Sequence, residues 1–498
     1  MNVNPITRLD YPDPDVIRVE DTYYMVSTTM HFMPGCEILQ SFDLVHWEHA
    51  TYVYETLDHT DAQQLKSGQN IYGQGMWAAS LRYHEGRFYI CFVANDTRKT
   101  YLYTSEKIDG PWKKQLIEGF YHDGSLLFDE DGRSYIVYGN DEIWITELNE
   151  DLTAPKKDGL HRLLVSDHKN PELGYEGSHI QKINGYYYIF LVHSLRDRWM
   201  RTEACFYSDS LEGEFTGGDV LCDDRGYCGQ GVAQGGIVDT PDGKWYAMLF
   251  QDSGAVGRIP ILLPVTWKDH FPFFGQNGHV PEEIEVHSTR PGYIYQPLVG
   301  SDDFCNGLLP RWQFNHDPDP RYYHLDALQG TYTITTREVC TELTQAVNTL
   351  TQRMSYPSCA AEVTVDASAL KEGDVAGLCA LQGCYAAVGI TKHHGKYEVL
   401  MLDKKEDGIL DMTERTVVES HQMDFRLEAD FCNMKDEARC YYRVNKGDWL
   451  PIGTVHKLYF KLDHFTGCRF GLFCYAAEET GGSACFRDFK YYDVDEIS

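Results

Sequence analysis

The chain has 498 residues, 43% of them hydrophobic, with 75 acidic residues against 44 basic ones and a formal charge of −31. That length exceeds one ordinary core and predicts two domains, and the apolar share excludes a disordered chain. The charge excludes a phosphate backbone or an anionic membrane surface as partner, which leaves a small neutral substrate as the default and homo-oligomerisation open.

Fifteen cysteines run from Cys36 to Cys485 without a Cys-x-x-Cys pair. An odd, unpatterned set predicts neither a zinc ribbon nor a disulfide framework, and it suits a reducing cytoplasm. Met1-Asn2-Val3-Asn4-Pro5-Ile6 lacks the basic start and apolar stretch of a leader. No apolar run approaches the roughly 18 residues that a membrane span requires. A soluble cytoplasmic protein is expected.

The first half of the chain repeats one template: a polar or aromatic residue, a short apolar strand, a turn, and an aromatic-rich strand. The first copy starts at Asp13, turns at Glu20-Asp21 and returns through Tyr23-Tyr24-Met25-Val26. The second starts at Trp77 and turns at Glu85-Gly86, the third at Asp123 with Asp131-Gly132, the fourth at Glu176 with Asn184-Gly185, and the fifth at Gln234 with Asp242-Gly243. In the last four copies the glycine falls nine residues after the start. Asp-Gly and Asn-Gly between such strands are hairpin signals. The first copy is one residue shorter and has Asp21 in place of the glycine, so a shifted register is expected there. A second echo lies between hairpins: Ser41 to Trp47, Ser105 to Trp112, and Ser208 to Phe215. It reads as outer-strand connections. A period of 46 to 64 residues without long amphipathic helices predicts a five-bladed β-propeller.

The template stops after Phe250. Pro/Gly-rich sequence follows through Phe271-Pro272-Phe273-Phe274-Gly275 and Arg290-Pro291-Gly292. Beyond residue 300, segments such as Tyr332-Thr333-Ile334-Thr335 and Tyr397-Glu398-Val399-Leu400-Met401 alternate as in a β-sandwich. The prediction is an all-β chain, with a propeller over residues 1–300 and a sandwich over 301–498.

First strands of propeller blades line the axis, so equivalent repeat positions converge. Here they bring together Asp13, Trp77, Asp123, Glu176 and Gln234. Three carboxylates at one mouth repel each other and stabilise nothing by themselves. They serve a catalyst or a bound calcium ion. Paired carboxylates without a nucleophile–histidine arrangement point to glycoside hydrolysis, in which one acid protonates the leaving oxygen and one carboxylate activates water or attacks carbon.

Several motifs carry a resemblance: Tyr11-Pro12-Asp13-Pro14-Asp15-Val16, Met76-Trp77-Ala78, His122-Asp123-Gly124-Ser125-Leu126, Tyr175-Glu176-Gly177-Ser178-His179-Ile180, Gly257-Arg258 and Pro264-Val265-Thr266-Trp267. In these, residues 1 to about 300 resemble glycoside hydrolase family 43, five-bladed propeller enzymes that include β-xylosidases and α-L-arabinofuranosidases. Asn348-Thr349-Leu350-Thr351-Gln352-Arg353 and Gly373-Asp374-Val375-Ala376-Gly377-Leu378 are similar to the concanavalin-like sandwich of many family β-xylosidases. The resemblance implies Asp13 as general base, Glu176 as general acid and Asp123 as the group that tunes and orients Glu176. It implies inversion, with an acid–base gap of about 6.5–9.5 Å. Asp15 is the rival base. Arg258 is implied to bind sugar hydroxyls, and Trp77 and Phe32 to wall the sugar subsite. The expected activity is exo-hydrolysis of terminal β-D-xylosyl or α-L-arabinofuranosyl groups from plant-cell-wall oligosaccharides, with the sandwich lending a loop to the pocket. The alternatives are a non-catalytic sugar-binding propeller, an endo-arabinanase-like hydrolase and a phosphorolytic enzyme.

The chain departs from the family pattern at Gln234, where many members have histidine, and at Gly124, where proline is common. No cofactor is required for the chemistry. Gln234 weakens the case for a structural calcium ion near the propeller axis.

Overall fold

The structure, a computed structural model, describes residues 3–493. Met1 and Asn2, on which the leader reading partly rests, and residues 494–498 lie outside it. Five four-stranded antiparallel sheets follow one another in chain order. Their first strands are Asp15–Val19, Met76–His84, Ser125–Phe128, Glu176–Ile183 and Ala233–Asp239, so each begins at or beside a repeat position. The echo segments join the third and fourth strands of blades 1, 2 and 4. In blade 1 the hairpin loop has two residues, as in blades 2 and 4, and the shorter repeat matches a first pair, Asp15–Val19 with Thr22–Val26, that runs without the bulge those blades carry.

Adjacent blades bury an apolar layer between them. Ile38 of blade 1 packs with Leu81 and Ile90 of blade 2, and Ile189 of blade 4 packs with Val137 and Ile145 of blade 3. The ring closes where Val16, Tyr23 and Met25 of blade 1 meet Val238, Tyr246 and Met248 of blade 5. The N-terminal segment secures that seam: Ile6 N–H donates to the Pro260 carbonyl at 2.8 Å, and Tyr11 N–H to that of Arg258 at 3.0 Å. Asn4 extends the pairing with its side-chain amide, which donates to the Leu262 carbonyl and accepts from its N–H, both at 2.8 Å.

The last propeller strand ends at Phe274, and the first sandwich strand of the second half is Gln313–Asn315. The segment between them runs back over blade 1, where Gln296 N–H donates to Glu48 at 2.8 Å. The sandwich packs an eight-stranded sheet on a seven-stranded one. One strand of the larger sheet, Phe32–Met33, belongs to the propeller half of the chain and pairs with Gln313–Asn315. Ala255, Val256 and Ile259 of blade 5 pack into the sandwich core. Arg353 crosses the junction to Glu37 at 2.9 Å, with both side chains almost wholly buried. Removing one partner of such a pair costs about 3–5 kcal/mol, because the other charge is left buried. Among the described residues, no helix is long and apolar enough to cross a membrane.

Beside this junction, His31 of the propeller contacts His316 and His464 of the sandwich, with ring centroids 4.8 and 5.9 Å apart, and His464 stacks on Tyr72 at 3.9 Å. Burial keeps these imidazoles neutral: His31 and His316 fall well below the ordinary range, and His464 drops to about 4. Asp463 pulls His464 upward and Lys404 pushes it down, but burial dominates. The unfolded chain takes up these protons near pH 6.5 and the folded chain does not. Stability is therefore present above that pH and is lost as pH falls from about 6.5 towards 4. Thermal denaturation between pH 7.5 and 4.5 should show a smaller drop in Tm for His464→Phe, which keeps the stacking and cannot be protonated. Parallel curves for variant and parent would remove the histidine cluster as the cause.

Candidate active site

The five repeat positions reach the propeller mouth through unusual backbone. Asp13, Asp123 and Gln234 have φ of 52°, 47° and 67°; Ala78 and Gly177, just after Trp77 and Glu176, have 23° and 67°. Register shifts follow Trp77 and Glu176, and one spans Gln234 between Ala233 and Gly236. A bulge of this kind re-aims a side chain at the end of a strand. At Gly177 only glycine fits, since a Cβ would lie 2.7 Å from Gln234 Cγ. The same residue donates its N–H to Asp123 Oδ2 at 2.9 Å, tying the third blade to the fourth.

The mouth opens into a cavity of about 490 Å³ that takes in Asp13, Trp77, Asp123, Glu176, Gln234 and Arg258. Asp13 is buried. Its Oδ1 accepts from Arg258 Nη1 at 3.1 Å and its Oδ2 from Thr28 Oγ1 at 2.6 Å, while Thr28 Oγ1 accepts the Ala78 N–H at 2.9 Å. Glu176 Oε2 accepts from Asn140 Nδ2 at 2.8 Å. Burial raises the Asp123 carboxyl to about 6 against the pull of His122, with the charges of Glu176 and Asp13 adding to the rise. His122 moves the opposite way: Asp123 beside it lifts the imidazole to about 9 despite burial, aided by Glu176. Near neutral pH it is a cation between two carboxyls.

Arg258 is 3% exposed, and the face of Phe465 lies 4.4 Å from its guanidinium carbon. Its Nε and Nη2 have no protein partner. A buried donor without a partner costs about 1–3 kcal/mol, which a ligand oxygen offsets on binding. Arg201, which pairs with Asp252, lines the same cavity. Burial, then the neighbouring Arg258, lowers it to about 10. Beneath the mouth, burial pushes the Glu203 carboxyl well up; it accepts the Gln234 N–H at 2.7 Å.

One wall comes from the second domain. Met434, Phe460, Leu462 and Phe465 of the sandwich complete the cavity. The rings of Phe465 and Trp77 lie 5.4 Å apart. The loop expected from the sandwich is thus present. Half-exposed Trp199 stands at the opening.

Two sequence expectations are corrected. Phe32 does not line the cavity. It is fully buried in the strand shared with the sandwich, 3.4 Å below the Arg469 guanidinium. Asp15 does not compete with Asp13. Strand alternation separates neighbours, but two residues on it should share a face; the left-handed turn at Asp13 breaks that rule. Asp15 lies fully buried on the axis, 2.7 Å from Arg82, accepting the Leu81 N–H at 2.7 Å and facing His179 Nδ1 at 3.0 Å.

The same network bears on the axial calcium ion. Arg82 donates to Asp15, Ser125 and the Leu126 and Ile180 carbonyls, so a guanidinium already holds the cationic position. The hole between it and the mouth measures about 10 Å³, the size of one water. Calcium takes about six to eight oxygen ligands. These residues do not fit a resident calcium ion at the axis.

His122, Asn140, Thr28, Arg201, Trp199 and the Phe460–Phe465 loop received no role from the sequence. His122 had a signal, since it precedes Asp123 inside a recognised motif. The others sit at strand ends or in a loop of another domain, where no repeat marks them.

Comparison with known proteins matches residues 3–272 to the model of glycosyl hydrolases family 43. Residues 301–492 match the β-xylosidase C-terminal concanavalin A-like domain. The chain is 27% identical to a β-xylosidase of Formosa agariphila, over 99% of this chain and 89% of that protein. It is 26% identical to the non-reducing end α-L-arabinofuranosidase BoGH43B of Bacteroides ovatus, over 66% of this chain and 63% of that one. Among solved structures, a bifunctional GH43-CE protein of Bacteroides eggerthii superimposes with a TM-score of 0.92 at 42% identity. The match covers 98% of this chain and 63% of that longer one. A carboxylate-lined propeller mouth, a sandwich that closes it and a family match over more than half the chain agree: the protein belongs to glycoside hydrolase family 43 and is a glycoside hydrolase.

Proposed function

We propose that the protein is an inverting exo-glycosidase that removes terminal β-D-xylosyl or α-L-arabinofuranosyl groups from plant-cell-wall oligosaccharides. The observation that carries this reading is the pairing of two differently held carboxyls in one closed-sided cavity: Asp13 fixed by Arg258 and Thr28, and Glu176 fixed by Asn140. Asp13 accepts hydrogen bonds from a guanidinium and a hydroxyl, which fix the orientation of both its oxygens, as a base that draws a proton from a placed water requires. Glu176 presents the carboxyl that protonates the leaving oxygen. Asp123, bound to the Gly177 N–H and in contact with the cationic His122, shapes the field around Glu176. Arg258 Nε and Nη2 meet sugar hydroxyls, and Trp77 with Phe465 forms the apolar wall against the pentose ring.

The Phe460–Phe465 loop supports exo rather than endo action, because it walls one side of a cleft that an endo-enzyme keeps open. Retention of all three carboxyls argues against a non-catalytic relative. The strongly negative chain supports a neutral substrate without nucleic-acid or membrane partners. Fifteen free thiols support a cytoplasmic setting.

Incubation with aryl β-D-xyloside and aryl α-L-arabinofuranoside, followed by NMR of the first-formed sugar, should show inverted configuration. A retained anomer would overturn the mechanism, and no turnover of either would overturn the assignment. Glu176→Ala should slow hydrolysis of xylo-oligosaccharides by about 10²–10⁴-fold, and much less for aryl pentosides whose leaving groups need no proton. Equal losses on both would dismiss Glu176 as the acid. Phe465→Ala removes the wall and the ring over Arg258, an interaction of about 0.5–2 kcal/mol. It should lower kcat/KM by roughly tenfold; unchanged kinetics would detach the loop from the subsite.

A further inference from the structure

His122 Nε2 faces two carboxylates that hold it loosely. It lies 3.5 Å from Asp123 Oδ2 and 3.6 Å from Glu176 Oε2, and it makes no hydrogen bond of normal length. The three ligand atoms lie within 4.8 Å of one another. Ligands about 2.0–2.1 Å from a tetrahedral ion stand about 3.3–3.5 Å apart. The two imidazole–carboxylate separations fall within a few tenths of an ångström of that spacing. Both carboxylates also have the outer partners that metal ligands use for orientation: Gly177 N–H on Asp123 Oδ2 at 2.9 Å, and Asn140 Nδ2 on Glu176 Oε2 at 2.8 Å. All three residues line the cavity, so a fourth position opens towards substrate space.

We propose that His122, Asp123 and Glu176 form a divalent zinc site whose occupation reversibly inhibits the hydrolase. The donor set is one imidazole nitrogen with two carboxylate oxygens, which suits a borderline transition metal. Calcium prefers an all-oxygen shell of higher coordination number. The inhibitory consequence rests on the reading of Glu176 as the acid. Zinc takes the Nε2 pair of His122 and the Oε2 pair of Glu176, the imidazolium proton and the transferable carboxyl proton both pass to solvent, and the bound ion stands where the leaving oxygen must approach. The binding part of the proposal rests on geometry alone.

The test is calorimetric titration of zinc chloride into the protein, alongside inhibition of xylo-oligosaccharide hydrolysis, whose leaving group needs the proton, with a chelator control. One zinc site should depend on His122, with His122→Gln weakening binding about tenfold or more and raising the half-inhibitory concentration in step. His122→Cys, which supplies another zinc ligand, should retain binding. Saturating D-xylose or L-arabinose should compete with the ion, and calcium chloride at the same concentration should not inhibit. Cys222, Cys228, Cys305 and Cys432 are exposed thiols that also take zinc, so stoichiometry alone does not decide. Zinc binding unchanged in His122→Gln, or not displaced by pentose, would assign the ion to those thiols and overturn the site. Loss of His122-dependent binding sinks only the metal proposal. His122-dependent binding without inhibition sinks the inhibitory role and points back to the acid assignment.

Discussion

A single buried carboxylate, Asp10, ties together the parts that catalysis needs at one place. Its Oδ1 accepts the N–H of Arg258 at 2.7 Å, and its Oδ2 accepts the N–H of Gly467 at 2.8 Å. Its carbonyl accepts from Arg353 at 2.9 Å. The first bond seats the pocket arginine on blade 5 beside the strand that carries Asp13. The second anchors the sandwich just beyond Phe465, and the third joins the buried Arg353–Glu37 pair. Gly257 and Gly467 are needed where they stand, because a Cβ on either would collide with Asp10 at 2.3 and 2.7 Å. Ring closure, domain docking and pocket closure are therefore geometrically one event.

Seen from this junction, the electrostatics of the mouth become intelligible. Asp13, Asp123 and Glu176 repel, and in an apolar cavity that repulsion is larger than in water. Arg258, the protonated His122 and Arg201 share the cavity with them. The balance is uneven by design of position. Arg258 is bonded to Asp13, whereas His122 contacts Asp123 and Glu176 at longer range. The base is held by two short contacts to fixed donors, whereas burial raises the Asp123 carboxyl to about 6 beside a looser cation. Two groups of one chemical type are thereby assigned different tasks by their neighbours.

The sequence carried the propeller because the repeat lies where each first strand starts and each hairpin turns. Glu85-Gly86 and Asn184-Gly185 adopt left-handed φ at both positions, as tight hairpins demand. The convergence of Asp13, Trp77, Asp123, Glu176 and Gln234 followed from that periodicity. Phe32 sits away from the cavity because its strand crosses into the sandwich sheet, a pairing 281 positions apart in the chain for Met33 and Phe314 that no local pattern encodes. Strand alternation puts Asp15 on the face of Asp13, and only the left-handed turn at Asp13 separates them. Arg201 and the Phe460–Phe465 loop reach the cavity through tertiary packing alone. Their residue types are common, and only the docking of the two domains gives them a role.

The backbone at the mouth shows what the inter-blade cores support. Left-handed φ at non-glycine residues costs about 1–3 kcal/mol each, and Asp13, Ala78, Asp123 and Gln234 all adopt it. Straight strands would place these side chains between blades, as they do Leu81 and Ile180 a few residues further on. The bend at each start lifts one side chain per blade out of that apolar layer and into the shared opening. Leu81, Ile136, Ile180 and Ile237, all nearly free of solvent contact, hold the strands just beyond the bends. Left-handed residues occur elsewhere in the blades too, Cys36 and Leu44 among them, but those at the blade starts are the ones that aim side chains at the mouth. A fold built from five similar four-stranded sheets can in this way present five side chains of four types at one point, and their differences, rather than the fold, set the chemistry.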